Sequence, residues 1–123
     1  MRAIVTGASP GIGGSTIRKL AQIANQKNEK LQIAACEITL TDDLKSLADE
    51  VGRLGADIDV LTGDLSEAQC PAKLVDDALK AFGGLDAVVS NAGITSPSPL
   101  IDLPVSKWDK LLNVNTRATL LLA

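Results

Sequence analysis

Four short aliphatic runs, at residues 2–6, 31–38, 58–61 and 85–90, alternate with segments whose apolar residues recur every three or four positions. No other feature constrains the fold as strongly. Runs this continuously apolar do not alternate in and out, so they suit strands covered on both faces. Segments with apolar spacing near 3.6 residues suit helices that supply the cover. Strand, helix, strand in repetition implies right-handed crossovers and a doubly wound parallel sheet of about four strands with helices on both faces.

The first helix carries the stripe Ile17, Leu20, Ala21 and Ala24, and the polar run "NQKNEK", Asn25 to Lys30, ends it. Thr41 is placed to cap a second helix with the stripe Leu44, Leu47, Ala48, Val51 and Leu54, and Gly55 stops it. Ser66 and Gln69 have capping-box spacing for a third helix, although Pro71 gives an alternative start. Phe82-Gly83-Gly84 closes that helix, and a Pro/Ser-rich loop runs to Pro104. Ser106 and Asp109 form a further capping pair before a last helix carrying Trp108, Leu111 and Leu112. The whole chain reads as one domain, with no repeat and no linker.

Between the first strand and the first helix lies "TGASPGIG", Thr6 to Gly13, with glycines spaced Gly-x-x-x-Gly-x-Gly. Glycine accepts backbone angles closed to other residues and lets an anion approach the main chain. A loop of this kind leaves the first N–H groups of a helix aimed outward, where the helix dipole favours negative charge. Glycine clusters also make turns with no ligand, but the flanking strand and helix match a βαβ dinucleotide site.

Four segments together resemble the short-chain dehydrogenase/reductase family, in the family's order and at roughly its spacing. They are "TGASPGIG"; "GDLS", Gly63 to Ser66; "SNAG", Ser90 to Gly93, where Ser90 replaces the family's first Asn; and "WDKLLNVN", Trp108 to Asn115. The resemblance covers nearly the whole chain and implies a Rossmann-like fold and hydride transfer between NAD or NADP and a carbonyl or secondary alcohol. It assigns Thr6, Gly7, Ser9, Gly11, Ile12 and Gly13 to the cofactor loop, and Asn91, Ala92 and Gly93 to the cofactor lining. Asn115 is by the same resemblance the catalytic Asn, holding a water in a proton relay. On helical spacing Asn115 shares a face with Trp108, Leu111 and Leu112 and is expected to point inward, while Asn113 points to solvent. A buried Asn with only a structural role is the alternative. The longer epimerase-like branch, with Thr-Gly-x-x-Gly-x-x-Gly, fits less well.

Two acids read on their own chemistry. Glu37, at the tip of the second strand, can accept both hydroxyls of an adenosine ribose and would repel a 2′-phosphate. No Lys or Arg stands beside it, which favours NAD over NADP. It lies somewhat further from Gly13 than the usual spacing of about 20, because the first helix is lengthened. Asp64, after the third strand, can accept from an adenine amine, with Leu65 offering a backbone N–H. A solvated strand-end acid and a turn-shaping Asp are the competing readings of the two.

The chemistry of proton delivery is not in this sequence. The family uses a Ser and a Tyr-x-x-x-Lys pair, whereas this chain has no Tyr and no His, no Lys after Lys110 and no Ser after Ser106. The apolar run "LLLA" at the end has no capping residue. The expectation is therefore the N-terminal part of a longer oxidoreductase, inactive alone, whose parent takes a small-molecule substrate and assembles into a homo-oligomer. A non-catalytic nucleotide-binding or interaction module is the competing class. The formal charge of −3, without a basic cluster, argues against nucleic acid or a membrane surface as partners. Cys36 and Cys70 lack metal-ligand spacing, and Cys36 reads as a small buried apolar residue. With no leader-like or membrane-length segment, a cytoplasmic location is the expectation.

Overall fold

The computed structural model describes residues 1–123. Strands β1 (Arg2–Thr6), β2 (Gln32–Glu37), β3 (Asp57–Thr62) and β4 (Ala87–Val89) form one sheet in the order β3-β2-β1-β4, parallel throughout. Helix α1 (Ile12–Lys27) joins β1 to β2, α2 (Asp42–Arg53) joins β2 to β3, and α3 (Cys70–Phe82) carries the chain back across to β4. This is the doubly wound, Rossmann-like arrangement that the alternation predicts. The direction of winding reverses between β1 and β4, where open α/β sheets make their crevices.

Strand alternation sorts the core into two layers. Val5, Ile33 and Ala35 face α1 and α2, packing with Ile17, Ala21, Leu44, Leu47 and Val51. Ile4, Ala34 and Cys36 face the other way, against Leu74 and Ala78 of α3 and Val114 and Ala118 further along. Buried small residues in β1 and β2 let helices approach from both sides.

Thr41 caps α2 as expected, its hydroxyl accepting from Leu44 N at 3.2 Å. Helix α1 runs through Asn25 and Lys27 and stops at Asn28, which takes a left-handed conformation. The other two expected caps are corrected. Helix α3 starts at Cys70 with Pro71 in its first turn, and Ser66 instead bonds Asp64. Helix α4 (Val105–Leu112) begins after Pro104, so Ser106 lies inside it and caps nothing. Proline cannot donate a backbone hydrogen bond and is preformed for a first turn, which suits Pro71, while Pro104 stands in extended backbone immediately before α4.

After α4 the helix loosens into a π-helical turn, Asn113–Arg117, and resumes as α5 (Ala118–Leu122). The wider turn rotates the following residues. Val114, Ala118 and Leu122 become the buried line, while Trp108 and Leu112 remain 46% and 43% exposed. The expected inward face of Trp108, Leu111, Leu112 and Asn115 is therefore wrong: Trp108, Leu112 and Asn115 are exposed and Leu111 is half-buried. Asn113, for which the spacing predicts a solvent-facing side chain, is half-buried too. No helix is long and apolar enough to cross a membrane.

Candidate functional site: a cleft at the carboxyl edge of the sheet

Strand register brings Thr6, Glu37, Thr62 and Val89 to one edge of the sheet, so the loops that follow them converge. They enclose a cleft of about 350 Å³ lined by Gly7, Glu37, Asp64, Leu65, Asn91, Ala92 and Gly93 from among the sequence-predicted residues. Pro10, Cys36, Ile38, Gly63, Leu74, Ile94, Lys110 and Val114 complete the wall.

The glycine loop is held by tight packing of main chain on main chain. Gly7 has φ +62°, and a Cβ there would lie 2.9 Å from Ala92 Cα. A Cβ on Gly13 would lie 1.9 Å from the Gly7 carbonyl oxygen. Neither position admits a side chain. Gly11, at φ +91°, opens onto free space. No side chain caps the first turn of α1, and no acid lies in that turn. Its leading N–H groups therefore have no partner from a capping side chain, the kind of donor set a pyrophosphate uses, although Gly13 is itself buried and none of Gly11, Ile12 and Gly13 lies on the cleft wall. Ile12 is 77% exposed.

Thr6 is fully buried and has no surface to offer a ligand. Its hydroxyl accepts from Asn91 N and Ala92 N, each at 3.1 Å, and its own hydrogen is directed at Val89 O at 3.5 Å. It positions the residues that line the cleft. Asn91 returns the tie, its Nδ2 donating to Thr6 O at 3.1 Å and Gly7 O at 2.9 Å.

Glu37 bridges two loops. Its Oε1 accepts from Ser9 N at 2.9 Å and its Oε2 from Ile38 N at 3.3 Å. Ser9 itself lies outside the main cleft, lining a smaller recess with Arg18, whose Nε bonds Glu50 at 2.8 Å. Asp64 Oδ1 accepts from Ser66 N at 2.9 Å and Ser66 Oγ at 2.7 Å, so the turn-shaping role is real. Its Oδ2 lies 3.6 Å from Lys110 Nζ, and both residues line the cleft. The Ser66 hydroxyl and N–H, with Lys110 adding a smaller effect, hold the Asp64 carboxyl below the ordinary range.

Asn115 meets the cleft indirectly. Its Oδ1 accepts from Ile94 N and its Nδ2 donates to Ile94 O, both at 2.9 Å, which clamps the segment after Gly93 to the π-helical turn. Such turns recur at functional sites. Two cations escaped the sequence reading: Lys110 and Arg117, whose Nη2 donates to Ser66 O at 2.7 Å. A single Lys or Arg on a helix carries no sequence signal of a distant partner. Cys36 borders the cleft but is buried, and burial pushes its thiol up to about 12. No group of three or more His, Cys, Asp or Glu is placed to hold a metal ion.

Over residues 1–123 the sequence matches the family described as short chain dehydrogenase. It is 34% identical to the short-chain dehydrogenase/reductase eriH of Hericium erinaceus, covering 97% of this chain and 46% of that protein. It is 31% identical to a glucose 1-dehydrogenase of Gluconobacter oxydans, covering 98% of this chain and 43% of that one. A short chain dehydrogenase of Burkholderia cenocepacia, solved in complex with NADP, superimposes with a TM-score of 0.87 at 31% identity, covering 98% of this chain and 47% of the other. The chain thus spans about half the length of the relatives it matches. With every residue inside the match and the doubly wound sheet reproduced, the chain belongs to the short-chain dehydrogenase family.

Proposed function

We propose that this chain binds the adenosine and pyrophosphate of a nicotinamide dinucleotide for an oxidoreductase that interconverts a carbonyl and a secondary alcohol. The observation that carries the reading is the uncapped first turn of α1, after a glycine loop that lines, at Gly7 and Pro10, a cleft shared with Glu37 and Asp64. Gly11, Ile12 and Gly13 would receive the pyrophosphate on their backbone N–H groups. Glu37 would accept the ribose hydroxyls, and Asp64 with the Leu65 N–H would hold the purine. Asn91, Ala92 and Gly93 would lie along the second ribose. The bound group supplies the hydride acceptor or donor; this chain supplies the binding surface and, through Asn115, a fixed Ile94 segment next to where a substrate would enter.

NAD is the preferred partner in this reading, although the Burkholderia relative carries NADP. A 2′-phosphate would meet the Glu37 carboxylate, while the nearby Arg18 is already paired with Glu50. With no Tyr or His in the sequence, proton delivery to the substrate oxygen falls to residues this chain does not contain, so we expect no turnover from the 123 residues alone. In the whole protein the same reading implies a small-molecule substrate, a cytoplasmic setting and self-association.

Calorimetric titration of the chain with NAD⁺ and NADP⁺, alongside Glu37→Ala, tests this. NAD⁺ should bind more tightly, and Glu37→Ala should lose about tenfold of that affinity, the worth of one hydrogen bond to a charged group. Absence of binding to either nucleotide, or equal binding with no effect of the substitution, overturns the corresponding part. Dehydrogenase turnover by the purified chain would refute its dependence on further residues.

A further inference from the structure

Among the residues lining the cleft there is one cation, Lys110 of α4. Asp64 has two carboxylate oxygens with different fates. Oδ1 is consumed by the Ser66 N–H and hydroxyl, at 2.9 and 2.7 Å. Oδ2 is the oxygen left to face a ligand, and Lys110 Nζ stands 3.6 Å from it, on the wall of the same cleft. Val114, four residues on in the π-helical turn, is buried in the same core layer as Leu65 and Leu74 and anchors the chain there. Helix α4 itself buries no residue, so the ammonium is placed beside Asp64 by the anchored π-helical turn that follows it, while its own side chain stays half exposed.

We propose that Lys110 sets which purines the cleft accepts: it competes with a 6-amino group for Asp64 Oδ2 and bridges that oxygen to a 6-oxo group. The inference rests on the nucleotide reading above and extends it to base selectivity. An adenine amine is a neutral donor and needs Oδ2 as acceptor; an ammonium on the same oxygen takes part of that capacity. A 6-oxo purine places an acceptor against a carboxylate, an arrangement that is repulsive unless a donor lies between them. Lys110, with three donors, fills that position. A cleft with Asp64 alone would therefore discriminate strongly for adenine, and Lys110 softens the discrimination.

The probes are NAD⁺ and nicotinamide hypoxanthine dinucleotide, which differ in the 6-amino or 6-oxo group and in the N1 proton that the oxo form carries. That second difference is common to all three proteins and so cancels when their ratios are compared. Each is titrated calorimetrically into the chain, into Lys110→Met and into Lys110→Arg. The ratio of the hypoxanthine Kd to the adenine Kd should rise about fivefold in Lys110→Met, as expected for loss of one partly exposed charged contact. It should stay within about twofold of the unsubstituted chain in Lys110→Arg, which keeps a cationic donor. A ratio that is unchanged or lower in Lys110→Met overturns the proposal, and this includes the case where both affinities fall together as they would from a purely structural effect. If the unsubstituted chain binds NAD⁺ but the ratio does not move, only the role of Lys110 fails. If it binds neither nucleotide, the nucleotide reading fails with it.

Discussion

Thr6 gives the sharpest test of how the cleft is held together. Thr6→Val keeps the shape of the side chain and replaces the hydroxyl with a methyl group. The hydroxyl accepts from Asn91 N and Ala92 N at 3.1 Å each. Asn91 N also reaches Val89 O at 3.1 Å, so it keeps one partner after the substitution. The Ala92 N–H has no such second bond among the backbone pairs and is left facing a methyl group. An orphaned donor in a covered site costs about 1–3 kcal/mol, and the shared bond to Asn91 adds about 0.5–1.5 kcal/mol. The extra apolar methyl returns up to about 1 kcal/mol. These ranges centre on a net loss of about 2 kcal/mol, a large share of the stability of a domain this size. Thr6→Ser removes the methyl and keeps the hydroxyl, for about 1 kcal/mol. In urea unfolding the midpoint should fall by about 1 M or more for Thr6→Val, with m unchanged, and by roughly half that for Thr6→Ser. Thr6→Val as stable as Thr6→Ser, or more so, would show that burial of this side chain matters and its hydrogen bonds do not.

Two further predictions follow from charge and burial. Arg2 donates to both oxygens of Asp86, from Nε at 3.1 Å and Nη2 at 2.6 Å, and also from its backbone N at 2.8 Å, which lowers the Asp86 carboxyl to about 2. A depressed carboxyl stabilises the fold above its unfolded value near 4 and loses that contribution as pH falls towards about 2. Asp86→Asn should therefore be less stable at pH 6 and show a shallower fall in urea midpoint between pH 4 and about 2; parallel curves for the two proteins would refute the pairing. Cys36 is 3% exposed and its thiol is raised to about 12, so iodoacetamide at pH 8 should leave it unmodified in the folded chain and modify it in urea. Peptide mapping that finds Cys36 alkylated without denaturant would mean that this side of the cleft opens readily.

The sheet was legible because its determinants are local. Aliphatic runs marked four strands; the structure keeps the ends of β1 and shifts those of the other three by one or two residues. The largest change is at β4, where Leu85 and Asp86 lie before the strand and Asp86 serves Arg2 instead of the ladder. The glycine loop was legible for the same reason. Gly7 and Gly11 take positive φ, and Gly13 must touch the Gly7 carbonyl, demands that only one residue type meets.

The last helix was not legible in the same way, because its sequence holds two apolar lines. Trp108, Leu111 and Leu112 form one, and Val114, Ala118 and Leu122 form the other. Periodicity at 3.6 residues per turn continues the first line to Asn115 and so turns that residue inward. The π-helical turn breaks the count. Small Ala118 lets α5 close on α3, so packing selects the second line and leaves Asn115 free to clamp Ile94. The polar ties across the cleft are further from sequence still. Glu37 meets Ser9 N, Thr6 meets Ala92 N, Lys110 meets Asp64 and Arg117 meets Ser66 O, pairs that lie on different loops and helices and acquire meaning only when the sheet brings their ends together. A motif read along the chain records the backbone shapes a site needs. The charges that tune it come from residues whose own neighbours in sequence say nothing of their partners, and Lys110 is the case where the difference has a measurable chemical consequence.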